Sequence, residues 1–211
     1  MPLKEDHLPE LLCARVDRFP LTASGSEPYW IDVEFHSFRE ATRGEDPEQR
    51  TCVQAVWSDV GLRVLFEVFD RDVWATLTDR DAPIYMEEVV EVFVDPVGDL
   101  ESYFEIEVNP LNTVLDLVCR RNRSGYLKNF AWQCDGLETV VRTTAHGWNC
   151  EMHIPFASLT SLIPQVGTEW RVNFARIDRP KQRERELSAW SPPMTGTFHA
   201  PSQFGRLRFV E

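Results

Sequence analysis

Two neighbouring segments of this sequence place aliphatic or aromatic side chains at every second position, and this pattern restricts the possible folds most. The segments are Val89–Asp95 and Ser102–Asn109, and the apolar residues of each share one side of an extended chain. A period of two is typical of strands with one face on a core. Asp95–Asp99, between them, contains the Pro and Gly that are typical of a turn. The pattern therefore predicts two strands joined by an acidic turn.

The opposite side of both predicted strands carries carboxylates and aromatic rings. Glu91 lies near Tyr85 and Phe93, and Glu107 lies near Tyr103. A sheet face that combines acids with rings can serve as a ligand platform, because ligand sites pair apolar surface with a few polar groups. A solvated sheet face is the simpler interpretation, since most acidic side chains are exposed. The sequence leaves both interpretations open.

The remaining patterns predict further strands with almost no helix between them. Strands at this spacing, punctuated by turn residues, are typical of a β-sandwich. We predict an all-β, single-domain β-sandwich of the jelly-roll type over residues 1–211, with roughly ten strands and one short helix. Residues 1–50 are its least regular part. The other predicted strands are Leu11–Phe19, Thr51–Ser58, Gly61–Asp70, Thr113–Arg120, Leu137–Ala145, Trp148–Ile154, Trp170–Asp178 and Phe204–Glu211, and the predicted helix is Pro155–Leu162.

The charge of the chain restricts its partners. The formal net charge is −12. Phosphate backbones and anionic membrane surfaces both attract clustered Lys and Arg. The sequence therefore predicts neither a nucleic acid nor a membrane as partner. It also contains no run of about 18 apolar residues that would span a membrane.

The first residues and the cysteines predict the compartment. The N-terminal segment MPLKEDHLPELL has no apolar h-region and no small-residue cleavage site. The sequence as it stands therefore predicts a cytoplasmic protein, or an extracellular one if a leader has been removed. The five cysteines lie far apart and lack CxxC spacing. This predicts free buried thiols rather than a zinc site or a disulfide framework.

Acidic residues suggest two kinds of chemistry. Glu91 and Glu107 have the residue type of a glycosidase pair, in which one carboxyl protonates the leaving oxygen and the other acts as nucleophile or base. Acidic pairs are common by chance in a chain with 34 Asp and Glu residues. Oxygen ligands for a structural calcium ion are also present, although without the spacing of an EF-hand loop. A solvated loop is the simpler interpretation of these aspartates, which are Asp70, Asp72, Asp79 and Asp81.

Four aromatic residues lie in predicted loops rather than at alternating core positions. They are Trp74, Tyr85, Trp190 and Phe198. An aromatic face stacks well against the C–H-rich face of a sugar ring. Loop aromatics also cover the ends of a sandwich, and the sequence leaves this second interpretation open.

Five motifs occur together in this chain: LRVLFEVFD, EEVVEVFVDP, YFEIEVNPLNTVLD, WRVNFARID and the ending AWSPP…FHAPSQFGRLRF. With these motifs, which cover most of residues 51–211, the chain resembles family 9 carbohydrate-binding modules and the wider group of family 9-like proteins. The resemblance implies a β-sandwich that binds sugars, often at the reducing end of a glycan, between two aromatic rings. It implies no catalytic cofactor, and it implies calcium bound for structure.

The resemblance also assigns positions. Tyr85 matches the first ring of the sugar clamp and Phe198 the second, where the best-known modules carry Trp. Glu91 matches a hydrogen-bonding carboxylate, and Trp190 belongs to the motif that leads to Phe198.

Two positions depart from the family. Glu107 stands where the family has a sugar-binding Arg, and Ala175 replaces an amide side chain. Both changes remove hydrogen-bond partners and place two acids in one site. Arg176 is the candidate for the missing cation.

Two functions follow. The favoured one is non-catalytic carbohydrate binding, with no catalytic residue. The alternative is an enzyme or an accessory subunit of glycan metabolism that uses Glu91 and Glu107 as paired carboxylates. The expected carbohydrate-binding residues are Tyr85, Glu91, Glu107, Arg176, Trp190 and Phe198.

Overall fold

The computed structural model describes residues 8–17 and 20–211, and most of its regular structure is β-strand. The strands are β1 (Glu10–Arg15), β2 (His36–Ser37), β3 (Arg39–Glu40), β4 (Thr51–Ser58), β5 (Gly61–Phe69), β6 (Val89–Asp95), β7 (Ser102–Val108), β8 (Val114–Asn122), β9 (Gly125–Asn129), β10 (Glu138–Thr144), β11 (Gly147–Pro155), β12 (Glu169–Asp178), β13 (Glu186–Ala189) and β14 (Gly205–Phe209). Two short α-helices, α1 (Pro28–Ile31) and α2 (Phe156–Leu159), accompany 3-10 helices at Ile84–Met86 and Pro201–Gln203.

The strands form two sheets that share β1. Sheet A has the spatial order β1, β14, β12, β6, β7, β8 and β9, with β13 and β3 alongside β12. Sheet B has the order β10, β11, β5, β4 and β1, with β2 beside β4. β1 pairs in parallel with β14 of sheet A and with β4 of sheet B. The all-β sandwich is confirmed, while the jelly-roll connectivity stays a prediction.

The main core lies between the sheets and is built from alternate strand positions, as predicted. On β6, Val90, Val92 and Val94 all face this core. Across the layer, the ring centroid of Phe66 on β5 lies 6.1 Å from that of Phe174 on β12. Burial of apolar surface contributes about 25 cal/mol per Å². This layer is therefore the main favourable contribution to folding.

The outer face of sheet A is also buried, which corrects the interpretation of a solvated face. Phe93 on β6 and Tyr103 on β7 point to this side, and both are fully buried. The segment before β14 covers them, since Phe198 and Phe204 place their ring centroids 6.2 Å and 5.6 Å from that of Phe93. Acidic side chains on this face are consequently enclosed rather than solvated.

The differences from the sequence prediction concern short elements and element ends. β4 and β6 begin and end at the predicted residues, whereas the predicted helix Pro155–Leu162 is reduced to α2. The predicted strand Leu11–Phe19 ends at Arg15, and Phe19 lies outside the described residues. Alternation did not predict β2, β3, β9, β13 or α1. Elements of two to five residues are too short to establish a period.

All five cysteines belong to the described residues, where they are buried and free, as predicted. Burial raises the pKa of the Cys13 and Cys150 thiols well above the usual value, so both stay protonated and unreactive. Within residues 8–17 and 20–211, no helix has the length and apolar character that crossing a membrane requires.

A close contact between Gly205 and Trp190 gives a stability prediction. A methyl group on Gly205 would lie 2.4 Å from ring atom Cζ3 of Trp190 and 2.8 Å from the carbonyl oxygen of Pro9. The Trp190 ring is 5% exposed and packs against Phe174, so it has little room to move. We expect Gly205→Ala to lower the free energy of unfolding by about 1–3 kcal/mol in urea titrations.

Gly196→Ala is the matched control. An added methyl group there meets no atom within 4 Å. Its effect on the free energy of unfolding should stay within about 0.5 kcal/mol. Equal stabilities of the two variants would show that the ring contact at Gly205 is absent.

Candidate functional site

The site begins with an acidic pair on the central strands of sheet A. Glu91 on β6 and Glu107 on β7 are direct cross-strand neighbours. Glu105 lies two residues before Glu107, so its side chain points to the same face. One carboxylate oxygen from each residue lies within 4.8 Å of the other two. We call Glu91, Glu105 and Glu107 the carboxylate cluster; each is 2% exposed or less.

A cavity of about 310 Å³ opens above the carboxylate cluster. Of the residues predicted from the sequence, Tyr85, Glu91, Glu107 and Phe198 line it. Tyr85 belongs to the 3-10 helix that precedes β6 and is 36% exposed, whereas Phe198 is 5% exposed. The structure therefore brings both predicted rings and both predicted acids to one place, which we call the site cavity.

Basic side chains line the rest of the site cavity. They are Lys128 on β9, and Arg179 and Arg185 in the loop between β12 and β13. Lys128 Nζ lies 3.9 Å from Glu105 Oε2. The guanidinium of Arg179 donates to the backbone carbonyl of Tyr85 at 3.4 Å, which ties the loop to the 3-10 helix. The cavity thus has an acidic floor and a basic rim.

The protonation of the floor is set by burial. Burial raises the pKa of Glu91 and of Glu107 well above the usual range, and repulsion within the carboxylate cluster raises both further. Burial also raises the pKa of Glu105 to about 7, even though Lys128 acts in the opposite direction. Three buried carboxyls this close cannot all be charged. Near neutral pH the cluster therefore holds bound protons.

His199 closes one side of the site cavity. Its Nδ1 lies 2.9 Å from the hydroxyl of Tyr103 and 3.7 Å from Glu105 Oε2. Burial, aided by repulsion from Lys128, lowers the pKa of His199 to about 4. The ring is consequently neutral at physiological pH and offers hydrogen bonds rather than a positive charge.

Arg176 does not line the site cavity, which corrects its predicted place as the cation of the site. Ala175 and Ile177 on β12 face the outer side of sheet A, so Arg176 between them faces the opposite side. There its Nη2 contacts Asp70 at 2.9 Å, Glu88 at 3.4 Å and Asp178 at 3.6 Å. We call these four residues the Arg176 cluster. The guanidinium is 1% exposed and already paired.

Trp190 is a core residue, which corrects its predicted place in the sugar site. Its ring packs between the sheets against Phe174, at 5.7 Å between centroids, and His36, at 6.0 Å. It does not belong to the site cavity. Ala189, the last residue of β13, faces the outer side of sheet A, and Trp190 directly after it points to the core between the sheets.

The four aspartates considered for calcium do not form a common site. Asp70 belongs to the Arg176 cluster, where a guanidinium already occupies the place between the carboxylates. Asp81 accepts a hydrogen bond from Gln133 Nε2 instead. Among the described residues, Asp70 is the only one of the four in a group of acids close enough to share an ion, and structural calcium stays a prediction without assigned ligands.

Sequence reasoning missed several residues that line the cavity. Glu105 had a signal, because it shares the period-two face of Glu107. Lys128 had none, since β9 was not predicted. Arg179 and Arg185 lie in the loop between β12 and β13, whose path the sequence does not define. His199 was recognisable only as the neighbour of the predicted ring Phe198.

Comparison with known proteins agrees with this geometry. Residues 26–211 match the family described as carbohydrate family 9 binding domain-like. The chain belongs to this family. The resemblance inferred from the motifs is thereby confirmed, and the family 9 match extends beyond them to include α1 and the short strands β2 and β3.

Relatives of this family 9 chain occur alone and within larger proteins. An extracellular protein of Arthroderma benhamiae is 26% identical over 191 residues, which cover 82% of this chain and 85% of that protein. The exoglucanase XynX of Acetivibrio thermocellus is 25% identical over 189 residues, which cover 89% of this chain but only 16% of the exoglucanase. The chain thus corresponds to a small part of that enzyme.

A solved family 9 module shares the fold. The module of Caldicellulosiruptor kristjanssonii in complex with cellotriose superimposes with a TM-score of 0.73 and 18% identity, covering 96% of this chain and 94% of the module. The same module in complex with glucose gives a TM-score of 0.70 at 18% identity, with 95% of each chain covered. At this identity the likeness shows the β-sandwich fold.

The buried carboxylate cluster predicts a pH-dependent stability in metal-free buffer. The folded-state pKa of Glu107 lies above the unfolded value of about 4.3. The contribution of Glu107 to the free energy of unfolding is therefore most favourable below pH ~4.3 and falls as the pH rises toward the folded-state pKa. Glu107→Gln removes this loss. We expect its melting temperature relative to the wild type to rise by about 2–4 °C or more between pH 5 and pH 8.

Glu184→Gln is the control, because Glu184 is an exposed acid in the loop before β13. Its melting temperature should follow that of the wild type at every pH. A Glu107→Gln difference that is independent of pH would contradict the assignment of shared protons to the floor.

Proposed function

We propose that this protein binds carbohydrate without catalysis, with a sugar ring in the site cavity between Tyr85 and Phe198. The observation that carries the proposal is the convergence of both rings and the carboxylate cluster on one cavity. Sugar sites need an apolar surface for the C–H face of the ring and fixed polar groups for the hydroxyls. The family supports the same function, since a related module binds cellotriose and glucose.

The size of the site cavity favours a single sugar residue. Ligand pockets usually span about 300–1,000 Å³, and this one has about 310 Å³. A glucose-sized ring fits such a space, whereas the remainder of a longer glycan has to lie outside. A chain end, rather than the middle of a polysaccharide, is therefore the expected ligand.

The two rings contribute unequally. Tyr85 is 36% exposed and presents accessible aromatic surface to the cavity. Phe198 is nearly buried and packs against Phe93, so it forms a fixed wall. Stacking on Tyr85 should consequently provide most of the aromatic contribution. Replacement of Phe198 would disturb the core of the outer face as well as the site.

Hydrogen bonds to the sugar are expected from the floor and the rim. The carboxyls of Glu91 and Glu107 can accept from hydroxyl groups, and in their protonated form they can also donate. Arg179 and Arg185 take the place proposed earlier for Arg176, because their side chains line the cavity. Hydrogen bonds from charged donors are stronger than hydrogen bonds between neutral groups. The two guanidinium groups should therefore fix the orientation of the sugar hydroxyls that they contact.

The enzyme alternative receives less support from the same geometry. A glycosidase places its two carboxyls on either side of the scissile bond. Glu91 and Glu107 are cross-strand neighbours on one face of one sheet. Both therefore approach a ligand from the same side, which favours binding over hydrolysis.

Tyr85→Ala tests the proposal. The variant removes the accessible ring and leaves the buried face intact, so the fold should be kept. We expect the wild type to bind glucose or cellotriose in calorimetric titrations and Tyr85→Ala to bind about tenfold more weakly, a loss of ~1.4 kcal/mol.

Phe130→Ala is the matched control, because Phe130 is an exposed ring that does not line the site cavity. Its affinity should equal that of the wild type. Unchanged affinity in Tyr85→Ala would place the sugar elsewhere. Absence of binding by folded wild-type protein to mono- and oligosaccharides would refute the function itself.

A further inference from the structure

We propose that the carboxylate cluster binds a divalent metal ion at the floor of the site cavity. The ligands are the side-chain oxygens of Glu91, Glu105 and Glu107. This inference does not depend on sugar binding, because the metal site is formed by protein groups alone.

The spacing of the carboxylates suits one ion. Oxygens that coordinate the same Ca²⁺ at ~2.3–2.6 Å lie no more than about 5 Å apart. One oxygen from each of the three glutamates lies within 4.8 Å of the others. A single ion can therefore reach all three without a change in the strand register of β6 and β7. The cavity above leaves room for water or another oxygen ligand to complete the coordination.

Glu107 provides a second observation. Its Oε2 is buried and has no hydrogen-bond partner among residues 8–17 and 20–211, and the residue as a whole is 1% exposed. Buried polar atoms in folded proteins almost always have a partner. The position of Glu107 is fixed by its pairing with Glu91 and Leu115 on the neighbouring strands. An ion among the carboxylates would supply the missing partner.

The basic rim does not pair the whole floor, and a divalent ion would bind by displacing the protons that the carboxylate cluster holds. Among the described residues, the ion pair with this cluster joins Glu105 to Lys128 at 3.9 Å, while the neutral ring of His199 lies 3.7 Å from the same carboxylate. No such ion pair involves Glu91 or Glu107 in the described part of the chain. The Arg176 cluster is the internal comparison, because there three buried acids surround a guanidinium. A metal ion would place a positive charge among the acids of the carboxylate cluster, as Arg176 does among Asp70, Glu88 and Asp178.

The donor set favours hard cations. Three carboxylates suit Ca²⁺ or Mn²⁺. A softer alternative lies beside them, since Glu105, Cys119 and His199 also place donor atoms within 4.8 Å of one another. That set lacks Glu91 and Glu107, so variants at these two positions distinguish the two sites.

The test uses the full chain, freed of metal with a chelator and kept without sugar. Calcium, manganese and zinc chlorides are titrated separately by calorimetry, and thermal unfolding is recorded with each. We expect binding of one Ca²⁺ or Mn²⁺ per chain and a higher melting temperature with the ion than without it. Glu91→Gln and Glu107→Gln should each weaken the affinity at least tenfold.

Glu88→Gln is the matched control, because Glu88 is also a buried glutamate among three acids but faces Arg176. Its metal affinity should equal that of the wild type, and the melting temperatures of the metal-free variants verify that they fold. Absence of binding at millimolar metal would overturn the proposal, as would affinity that Glu107→Gln leaves unchanged. Zinc binding that depends on Cys119 and not on Glu91 would overturn it too.

Sugar titrations with and without metal separate this inference from the proposed function. If the protein binds metal but binds none of the sugars, the result would support the metal site and refute carbohydrate binding. Sugar binding in the presence of chelator, with no metal uptake, would support the proposed function and overturn the metal site.

Discussion

The period-two pattern of β6 and β7 determines which side chains enter the core and which form the site cavity. Because Val90, Val92 and Val94 must face the core between the sheets, Glu91 and Phe93 must face outward. Exposing large rings on this outward face to water would be unfavourable in free energy. Loops and the segment before β14 therefore cover it. The same loops bring Tyr85 and Phe198 over the acids. The site cavity is thus a consequence of covering a face that two strands had already fixed.

The described part of the structure contains two clusters of three buried acids, and they differ in what surrounds them. In the Arg176 cluster, a fully buried guanidinium contacts all three acids, and the group closes the space between the ends of the sheets. Burial of charge is tolerable there because Arg176 neutralises part of it, and because burial raises the pKa of Glu88 to about 9, so that this acid stays protonated. In the carboxylate cluster, the acids border a cavity, and no ion pair within the described part of the chain involves Glu91 or Glu107. This difference makes the second cluster the one that is available to a ligand.

Much of the fold was predictable, and the site was predictable in part. Long alternating strands such as β4 and β6 are recognisable from the sequence. The face of acids and rings follows from the period-two pattern of β6 and β7. Arg176 was misplaced because a one-residue shift along β12 moves a side chain from one face of the sheet to the other. Trp190 was misplaced because the sequence of an irregular segment does not show whether a ring packs in the core or lies at the surface of a loop. Lys128 and His199 reach the cavity through long-range packing that no local pattern encodes.

We propose that the covered face of sheet A is a sugar site, and a crystal structure of the protein grown with glucose is the direct test. We predict a sugar ring in the site cavity, in van der Waals contact with Tyr85 and with a hydroxyl group about 3 Å from a carboxyl oxygen of Glu91 or Glu107. A sugar bound elsewhere, for example in the cleft between Arg15 and Glu211, with the site cavity holding only water, would contradict the account.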